Sequence, residues 1–351
     1  MDTKKFLQKL SNAYGISGFE SGLNDIVISA MKNYTDDIHV DNLGNILAVK
    51  KGTNNKENLK VMLAAHLDEI GLIVTYIEEN GFIRFSNIGG IDPRTLLSQE
   101  VVVHGKEDII GIIGARPPHF QSSDRANKTI KMEDMTIDLG LSKEEVKRVV
   151  KIGDPITIRR NFASLQGERV TGKALDDRAG VVTLLECAKE LEKIVHEVDV
   201  YFVSTVQEEV GVRGAFTSTY SINPDIGIAI DVGFGATPEL PKKDTLEMGK
   251  GPGITLGGNI HPGLRKHIVK LADEYNIPYQ MEIAPGATGT DGYAIQITKA
   301  GIPTLCISIP LRYMHTSVEI IDMVDIRNTA KLLSLFISSI TSDNLEGFLC
   351  Y

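Results

Sequence analysis

The spacing of apolar residues changes along the chain, and these changes predict how it is organised. Apolar residues recur at helical spacing over residues 6–14 and again over residues 23–34. Two short strands are predicted at residues 38–40 and 45–50, and the continuous apolar run Val61–Ala65 follows them. A continuous run of this length is typical of a strand buried on both faces, as in parallel or mixed α/β sheets.

Residues 70–163 show a different pattern, in which short β-branched runs are separated by glycines. A helix is predicted to begin after Ser142, where Glu145 completes a capping box, and to run to about Ile152. Many short strands at close spacing indicate a small barrel or sandwich. The predicted strands cover residues 72–77, 82–85, 100–103, 109–113 and 156–158.

Strands and helices alternate again from Val170 onward, which predicts an α/β sandwich with helices on both faces of a mixed sheet. We therefore interpret residues 70–163 as a domain inserted into a larger one formed by residues 1–69 and 164–351. The polar stretch 116–131 is predicted to be an exposed loop of the insert. The helices predicted after Val170 cover residues 178–191, 263–275, 291–299 and 323–340, and the strands cover residues 198–204, 226–230, 279–283 and 304–309.

Candidate metal ligands lie close to the ends of predicted strands, where ligands gather in folds of this kind. The adjacent pair Asp176-Asp177 instead opens a predicted buried helix, and its simplest interpretation is a helix cap. Two histidines, one bridging carboxylate and two further carboxylates suit a pair of divalent metal ions. The candidate ligands are His66, Asp176, Glu209, Asp231 and His315.

Two further acidic residues are candidates for catalysis. Asp68 lies two residues after His66, so on an extended strand its carboxylate can accept the second ring N–H of a metal-bound histidine. Glu208 and Glu209 are expected to face apart at a strand end, so that one binds metal while the other accepts a proton. A core histidine at position 66 and an exposed acidic turn at 208–209 are the alternative interpretations.

Composition narrows the class of protein. The net charge of −9 argues against a nucleic-acid partner. No window approaches the length of a membrane span and the N-terminal residues lack the apolar core of a signal peptide, so we expect no membrane association. Three widely spaced cysteines without a CxxC motif argue against a disulfide framework and a thiolate zinc site, and we expect a cytoplasmic protein.

The candidate ligands lie in segments that resemble the motifs of the tetrahedral (TET) aminopeptidases. That family includes glutamyl and deblocking aminopeptidases and members labelled cellulase M. The resemblance runs nearly end to end and includes Pro117-Pro118-His119 and Asp138-Leu139-Gly140 in the insert. The segments that carry it are Ala64–Gly71, Gly172–Gly180, Gln207–Ala215, Asp231–Gly233 and Arg312–His315.

The resemblance implies a zinc-exopeptidase-like fold and an enzyme that removes N-terminal residues from peptides with two metal ions, zinc or cobalt. It implies that Glu208 is the general base, that Asp68 orients His66 and that the Asp176-Asp177 peptide is cis. It also implies a homo-oligomer, from dimer to dodecamer, in which the insert is a β-barrel that pairs subunits. The implied ligands are His66, Asp176 and Asp231 for one ion and Asp176, Glu209 and His315 for the other.

Two other functions are weighed against an aminopeptidase. A glycoside hydrolase, which the cellulase label suggests, needs two carboxylates about 5–9.5 Å apart and no metal ions. The adjacent Glu208 and Glu209 and the absence of Trp fit this poorly. A non-catalytic assembly protein on the same scaffold predicts a missing ligand or base, and none is missing.

The sequence leaves the preferred N-terminal residue open. The segments Gly289–Tyr293 and Gly257–His261 depart from the family pattern where we expect the substrate to enter. Arg213 or Arg312 could suit an acidic side chain, and each could equally form a structural ion pair.

Overall fold

The computed structural model of the chain describes residues 2–54, 59–115 and 130–349. The predicted loop of residues 116–131 lies almost wholly outside these ranges, as does the Pro117-Pro118-His119 segment. None of the helices in the described ranges is long and apolar enough to cross a membrane.

Helices and strands alternate through most of the described chain. The helices are α1 (Thr3–Asn12), α2 (Asn24–Met31), α3 (Lys143–Val149), α4 (Leu175–Glu190), α5 (Arg213–Ile222), α6 (Pro262–Glu274), α7 (Asp291–Gln296), α8 (Met323–Ser339) and α9 (Leu345–Leu349). The strands are β1 (Asp37–Val40), β2 (Ile46–Lys50), β3 (Lys60–His66), β4 (Gly71–Ile77), β5 (Ile83–Ile88), β6 (Glu100–His104), β7 (Asp108–Ile113), β8 (Ile137–Asp138), β9 (Pro155–Ile158), β10 (Ala163–Ser164), β11 (Arg169–Gly172), β12 (Asp199–Thr205), β13 (Ile226–Phe234), β14 (Gly253–Gly257), β15 (Gln280–Ala284), β16 (Thr304–Arg312) and β17 (Glu319–Asp322).

An eleven-stranded mixed sheet forms the centre of the larger part of the molecule. Its strand order is β1-β2-β12-β3-β13-β16-β17-β11-β10, and β14 and β15 branch from β16. The central strands β12, β3, β13 and β16 run parallel to one another. They are buried along almost their whole length, which explains why their sequences are continuously apolar.

Helices cover both faces of this sheet. On one face, α4 packs against β3 and α8, and its Val181 lies near Phe202 of β12. On the other face, Thr219 of α5 contacts the sulfur of Met62 in β3 at 3.5 Å, and Ile295 of α7 lies against β13. This α/β arrangement confirms the predicted fold class.

Six strands form a closed antiparallel barrel in the order β4-β5-β8-β7-β6-β9. Alternate residues such as Leu72 and Val74 point into a hydrophobic core that is separate from that of the large sheet. Of the two arrangements left open for this segment, barrel or sandwich, the structure has the barrel. The strand β8 was not predicted because two residues carry no alternation pattern. The domain limits at residues 70 and 163 stay a prediction.

Among the elements that differ from the prediction, three have a clear physical reason. No helix was predicted for α5, because its buried face is made of small or hydroxyl residues such as Gly214 and Ser218. The helix α3 ends at Val149, because Val150 is extended. The strand β13 continues beyond residue 230, so Asp231 lies inside a strand and not after its end.

Candidate active site

The candidate ligands meet in one cleft at the edge of the sheet where the central parallel strands end. His66 is the last residue of β3, Asp231 lies on β13, and Glu209 and His315 follow β12 and β16. Asp176 is brought to them by the start of α4. The cleft has a volume of about 490 Å³, and all five residues line it.

Asp176 lies between the two histidines. Its Oδ1 is 3.1 Å from Nε2 of His66, and its Oδ2 is 3.4 Å from Nε2 of His315. The same His315 nitrogen is 3.4 Å from Glu209 Oε1, and His66 Nε2 is 3.9 Å from Asp231 Oδ1. Each oxygen of Asp176 therefore faces a different histidine, as a bridging carboxylate requires.

Two groups of potential ligand atoms result, and within each group the atoms lie within 4.8 Å of one another. Each group offers one imidazole nitrogen and two carboxylate oxygens, a donor set that zinc and similar divalent ions accept. The groups are His66, Asp176 and Asp231, and Asp176, Glu209 and His315.

The electrostatics of the cleft indicate that cations belong in it. Burial and the neighbouring carboxylates raise the pKa of Asp231 well above its ordinary value, and they raise that of Glu209 to about 7. Burial likewise raises the pKa of Glu208, helped by repulsion from Asp231. Carboxylates crowded in this way need a compensating positive charge. The residues present therefore fit a pair of divalent ions.

The two histidines supply part of that charge when they are protonated. The hydrogen bond to Asp176 raises the pKa of His315 to about 9. Burial lowers the pKa of His66, but hydrogen bonds to Asp176 and Asp68 outweigh it and leave the pKa well above 6.5. Burial alone would raise the pKa of Asp176, but its hydrogen bonds to both histidines outweigh burial and lower this pKa below its ordinary value.

Asp68 has a different position from the one predicted by strand alternation. The strand β3 ends at His66, and it is the backbone carbonyl of Asp68 that lies 3.2 Å from Nδ1 of His66, while the carboxylate lies at 3.6 Å. The buried carboxylate instead accepts the Ser17 hydroxyl at 2.6 Å and the backbone N–H groups of Glu208 and Glu209 at 3.0 and 3.2 Å. Asp68 therefore contacts the segment of the two glutamates as well as His66.

The two glutamates are not arranged by strand alternation, because β12 ends at Thr205 and Gln207 has a left-handed φ of 57°. Both side chains line the same cleft. Glu209 approaches His315, whereas Glu208 belongs to neither group of ligand atoms. The geometry therefore agrees with the expected division, in which one glutamate is a ligand and the other is free. A turn, and not strand alternation, produces it.

Asp177 has the capping role considered for the aspartate pair. Its Oδ1 accepts the backbone N–H of Gly180 at 3.0 Å, and its Oδ2 accepts that of His66 at 3.2 Å. The peptide between Asp176 and Asp177 is cis, as expected. The two carboxylates therefore have different roles: Asp176 faces the cleft, and Asp177 accepts hydrogen bonds from the backbone.

Glu319, which sequence reasoning missed, connects the start of α4, which carries Asp176, with the segment after β16, which carries His315. Its Oε2 accepts the backbone N–H groups of Leu175 and Asp176 at 2.7 and 3.2 Å, and its Oε1 accepts that of His315 at 3.0 Å. The residue is buried on β17. Its sequence carries no strong signal, because β17 reads Glu-Ile-Ile-Asp and has a charged residue at each end.

A second buried charged cluster lies behind the cleft. The carboxylate of Glu69 accepts hydrogen bonds from Lys173 Nζ at 2.7 Å, from Arg178 Nη2 at 2.9 Å and from the backbone N–H of Gly15 at 3.0 Å. Arg178 also donates to the carbonyls of Leu10 and of residues 13 and 67. These contacts link α1, the segment after β3 and the start of α4, and so they support the position of His66 and Asp176.

The two segments that depart from the resemblance lie differently with respect to the cleft. Gly289 and Thr290 line it, and the adjacent Asp291 is buried and accepts the Thr205 hydroxyl at 2.5 Å. Residues 257–261 are not among the lining residues, and His261 caps the N-terminus of α6. The expectation that the substrate enters near both segments stays a prediction.

The fold and the cleft define a class of α/β hydrolytic enzymes in which buried histidines and carboxylates suit divalent metal ions. Residues 44–332 match the family model described as M42 glutamyl aminopeptidase, and the chain belongs to this family. It is therefore an aminopeptidase, a hydrolase of peptide bonds, and the family implies divalent metal ions.

Relatives and solved structures agree with this assignment. The chain is 39% identical to the lysyl aminopeptidase of Pyrococcus furiosus over 334 residues, which cover 93% of this chain and 94% of that protein. It is 39% identical to aminopeptidase APDkam598 from the archaeon Desulfurococcus kamchatkensis, with a TM-score of 0.92 and coverage of 99% and 98%. It is 34% identical to the Pyrococcus horikoshii TET1 peptidase, which can assemble into a tetrahedron or a large octahedral shell, with a TM-score of 0.84 and coverage of 97% and 100%. The resemblance to TET aminopeptidases is thereby confirmed.

Proposed function

We propose that this chain removes N-terminal residues from peptides with the help of two divalent metal ions, zinc or cobalt, and with Glu208 as the general base. The observation that carries the proposal is the pair of ligand groups that share Asp176. Glu208 lines the same cleft and stands outside both groups, which leaves its carboxylate free to exchange protons.

The ligand sets follow the geometry of the cleft. When bound, two such ions lower the pKa of water and polarise the scissile carbonyl. Neutral imidazole and carboxylate are ligands that suit zinc and cobalt. His66, Asp176 and Asp231 would hold one ion, and Asp176, Glu209 and His315 the other.

Glu208 takes a proton from the attacking water and later delivers it to the leaving amine. A carboxylate that binds metal is a poor base, so the separation of Glu208 from the ligand groups is chemically necessary. Asp68 supports this role by holding the backbone N–H groups of Glu208 and Glu209, and its backbone carbonyl orients the ring of His66.

The substitution Glu208→Gln tests the role of the base. It keeps the shape of the side chain but removes proton transfer, so kcat on aminoacyl p-nitroanilides is expected to fall by about 10²–10⁴-fold. Metal content, measured by elemental analysis, is expected to be unchanged. Glu144→Gln, at an exposed position on α3, is the matched control. Equal rates for Glu208→Gln and the native protein would refute the assignment.

Chelation separates this proposal from a glycosidase. EDTA is expected to abolish peptidase activity, and zinc or cobalt is expected to restore it. Activity on a cellulose oligomer that persists in EDTA would support the glycosidase instead.

We also propose that residues 70–163 form an inserted domain that pairs subunits, as one step toward a larger assembly. The barrel has its own core, and it exposes apolar side chains at Tyr76, Ile110 and Ile112. The proposal is supported by the P. horikoshii TET1 peptidase, which can assemble into a tetrahedron or a large octahedral shell. Sedimentation velocity is expected to show an oligomer for the native chain and a smaller species for Ile110→Glu. A monomeric native protein would contradict the proposal.

A further inference from the structure

The cleft has a floor where β14, β15 and β16 meet. Glu282 of β15 lines this floor together with Thr255 and Ser308. The hydroxyls of Ser308 and Thr255 both donate to Oε2 of Glu282, the latter at 3.2 Å. These neutral donors orient the carboxylate but do not neutralise its charge.

The charge of Glu282 has no counter-ion within the described ranges. Burial raises the pKa of this carboxyl above its ordinary value, only the two hydroxyls oppose the rise, and no described Lys, Arg or His does so. A half-buried carboxylate in such surroundings gains from an added cation. Like the two ligand groups, the floor therefore carries negative charge that an added cation would compensate.

The second oxygen of Glu282 is open toward the cleft. In the described part of the chain no donor bonds to Oε1, since both hydroxyls use Oε2. A Cβ atom at Gly233 would lie 2.8 Å from Oε1, so any other residue at this position would fill the space beside it. Glycine at position 233 thus keeps one oxygen accessible to a donor in the cleft.

The floor lies at a distance that a long side chain can cover. Asp231 and Ser308 are register partners on adjacent strands, and Ser308 in turn pairs with Gly253 of β14. Neighbouring strands lie about 4.8 Å apart, so the floor is on the order of 10 Å from the ligand groups along one face of the sheet. The buried Leu246 also lines the cleft and offers an apolar wall for a methylene chain.

We propose that Glu282 determines the specificity of this cleft and selects peptides whose N-terminal residue carries a cationic side chain, lysine or arginine. The inference rests on the proposed function, since it requires the scissile bond to lie at the ligand groups. The ammonium or guanidinium group donates to Oε1 of Glu282 and supplies the missing positive charge.

The other charged residues that the structure describes do not provide an alternative floor. Lys243 and Asp244 line the cleft, but both are exposed at its mouth, where solvent screens their charges. Neither Arg213 nor Arg312 is among the lining residues, and Arg312 donates to a backbone carbonyl at 2.6 Å. An acidic N-terminal side chain would meet the carboxylate of Glu282 without a cation beside it.

The experiment compares L-lysine p-nitroanilide with L-norleucine p-nitroanilide, which has an unbranched aliphatic side chain without the charge. For the native, metal-loaded enzyme kcat/KM is expected to be about 10–100-fold higher on the lysine substrate. Glu282→Gln is expected to lose most of this preference by slowing the lysine substrate, with the norleucine rate little changed. Asp244→Asn, at the mouth, is the matched control and is expected to shift the ratio by less than about 5-fold.

Three results would overturn the inference: a native ratio near one, a preference for a glutamate substrate, or an equal loss on both substrates in Glu282→Gln. If that variant does not fold, inhibition of the native enzyme by free L-lysine and L-norleucine decides, because equal inhibition constants contradict a role for Glu282. If no aminoacyl substrate is cleaved, the proposed function fails, while binding of L-lysine over L-norleucine still tests the floor separately.

Discussion

Two buried clusters of charged residues lie side by side in this protein, and they are built in opposite ways. Around Glu69, the carboxylate receives Lys173, Arg178 and a backbone N–H. Around Asp176, the carboxylates outnumber the cationic side chains, and burial raises the pKa of Asp231 and Glu209. The first cluster carries its own counter-ions, and the second depends on cations from outside the chain.

This difference distinguishes a structural cluster from a functional one. A buried charge costs free energy unless it is paired, so an ordinary core either neutralises it or excludes it. The cluster around Asp176 does neither, and its excess of negative charge marks it as a site for cations. The floor at Glu282 follows the same logic on a smaller scale, with a single carboxylate and no cation among the causes of its pKa shift.

The largest expected effect on stability comes from breaking the structural cluster. Glu69→Gln leaves Lys173 and Arg178 buried beside a neutral group, so the free energy of unfolding is expected to fall by about 3–5 kcal/mol. Chemical denaturation monitored by circular dichroism measures it. The exposed Glu107→Gln is the control and is expected to change stability by less than about 0.5 kcal/mol. A loss for Glu69→Gln as small as that of the control would show that the two clusters do not differ in this way.

A smaller effect of opposite sign is expected in the functional cluster. The raised pKa of Asp231 means that ionisation of this group costs stability in the metal-free protein; the cost shrinks as the pH falls from the raised pKa and is gone below the ordinary pKa of an aspartate. In EDTA at neutral pH, Asp231→Asn is therefore expected to raise the free energy of unfolding by about 0.5–2 kcal/mol.

Added zinc is expected to reverse the order of stability of the native chain and Asp231→Asn. Metal ions that bind only the folded state stabilise the native chain, whereas Asp231→Asn lacks one of the proposed ligands and is expected to gain less. Denaturation curves of both proteins with EDTA and with zinc test this. A variant that is less stable than the native chain in EDTA would mean that Asp231 is satisfied without a cation, and the comparison of the two clusters would lose its basis.

Much of the fold was predictable because local patterns reflect burial. Continuous apolar runs predicted β3, β12 and β16, since strands covered on both faces have no polar side. The helix α5 escaped prediction because its buried face carries Gly214 and Ser218, whose packing depends on neighbours and not on hydrophobicity.

The candidate site was predictable in its composition but not in its arrangement. Its residues were found because histidines and carboxylates next to buried runs are costly unless they have partners. The positions of Glu208 and Asp68 differ from a simple strand pattern, because β12 and β3 end before them and a turn at Gln207 directs the chain. Glu319 and Glu282 were missed because most of their partners are distant in sequence.

The sequence by itself determined the class of fold, the family and the residue types available for metal ions, because hydrophobic periodicity and motif spacing are local properties of the chain. Only the tertiary structure decided which oxygen of Asp176 faces which histidine, and which glutamate stays outside the ligand groups. It also decided that Glu282 lies on the cleft floor with no counter-ion among the described residues. Those facts depend on distances between segments far apart in the chain, and such distances are set by how the sheet and its helices pack together.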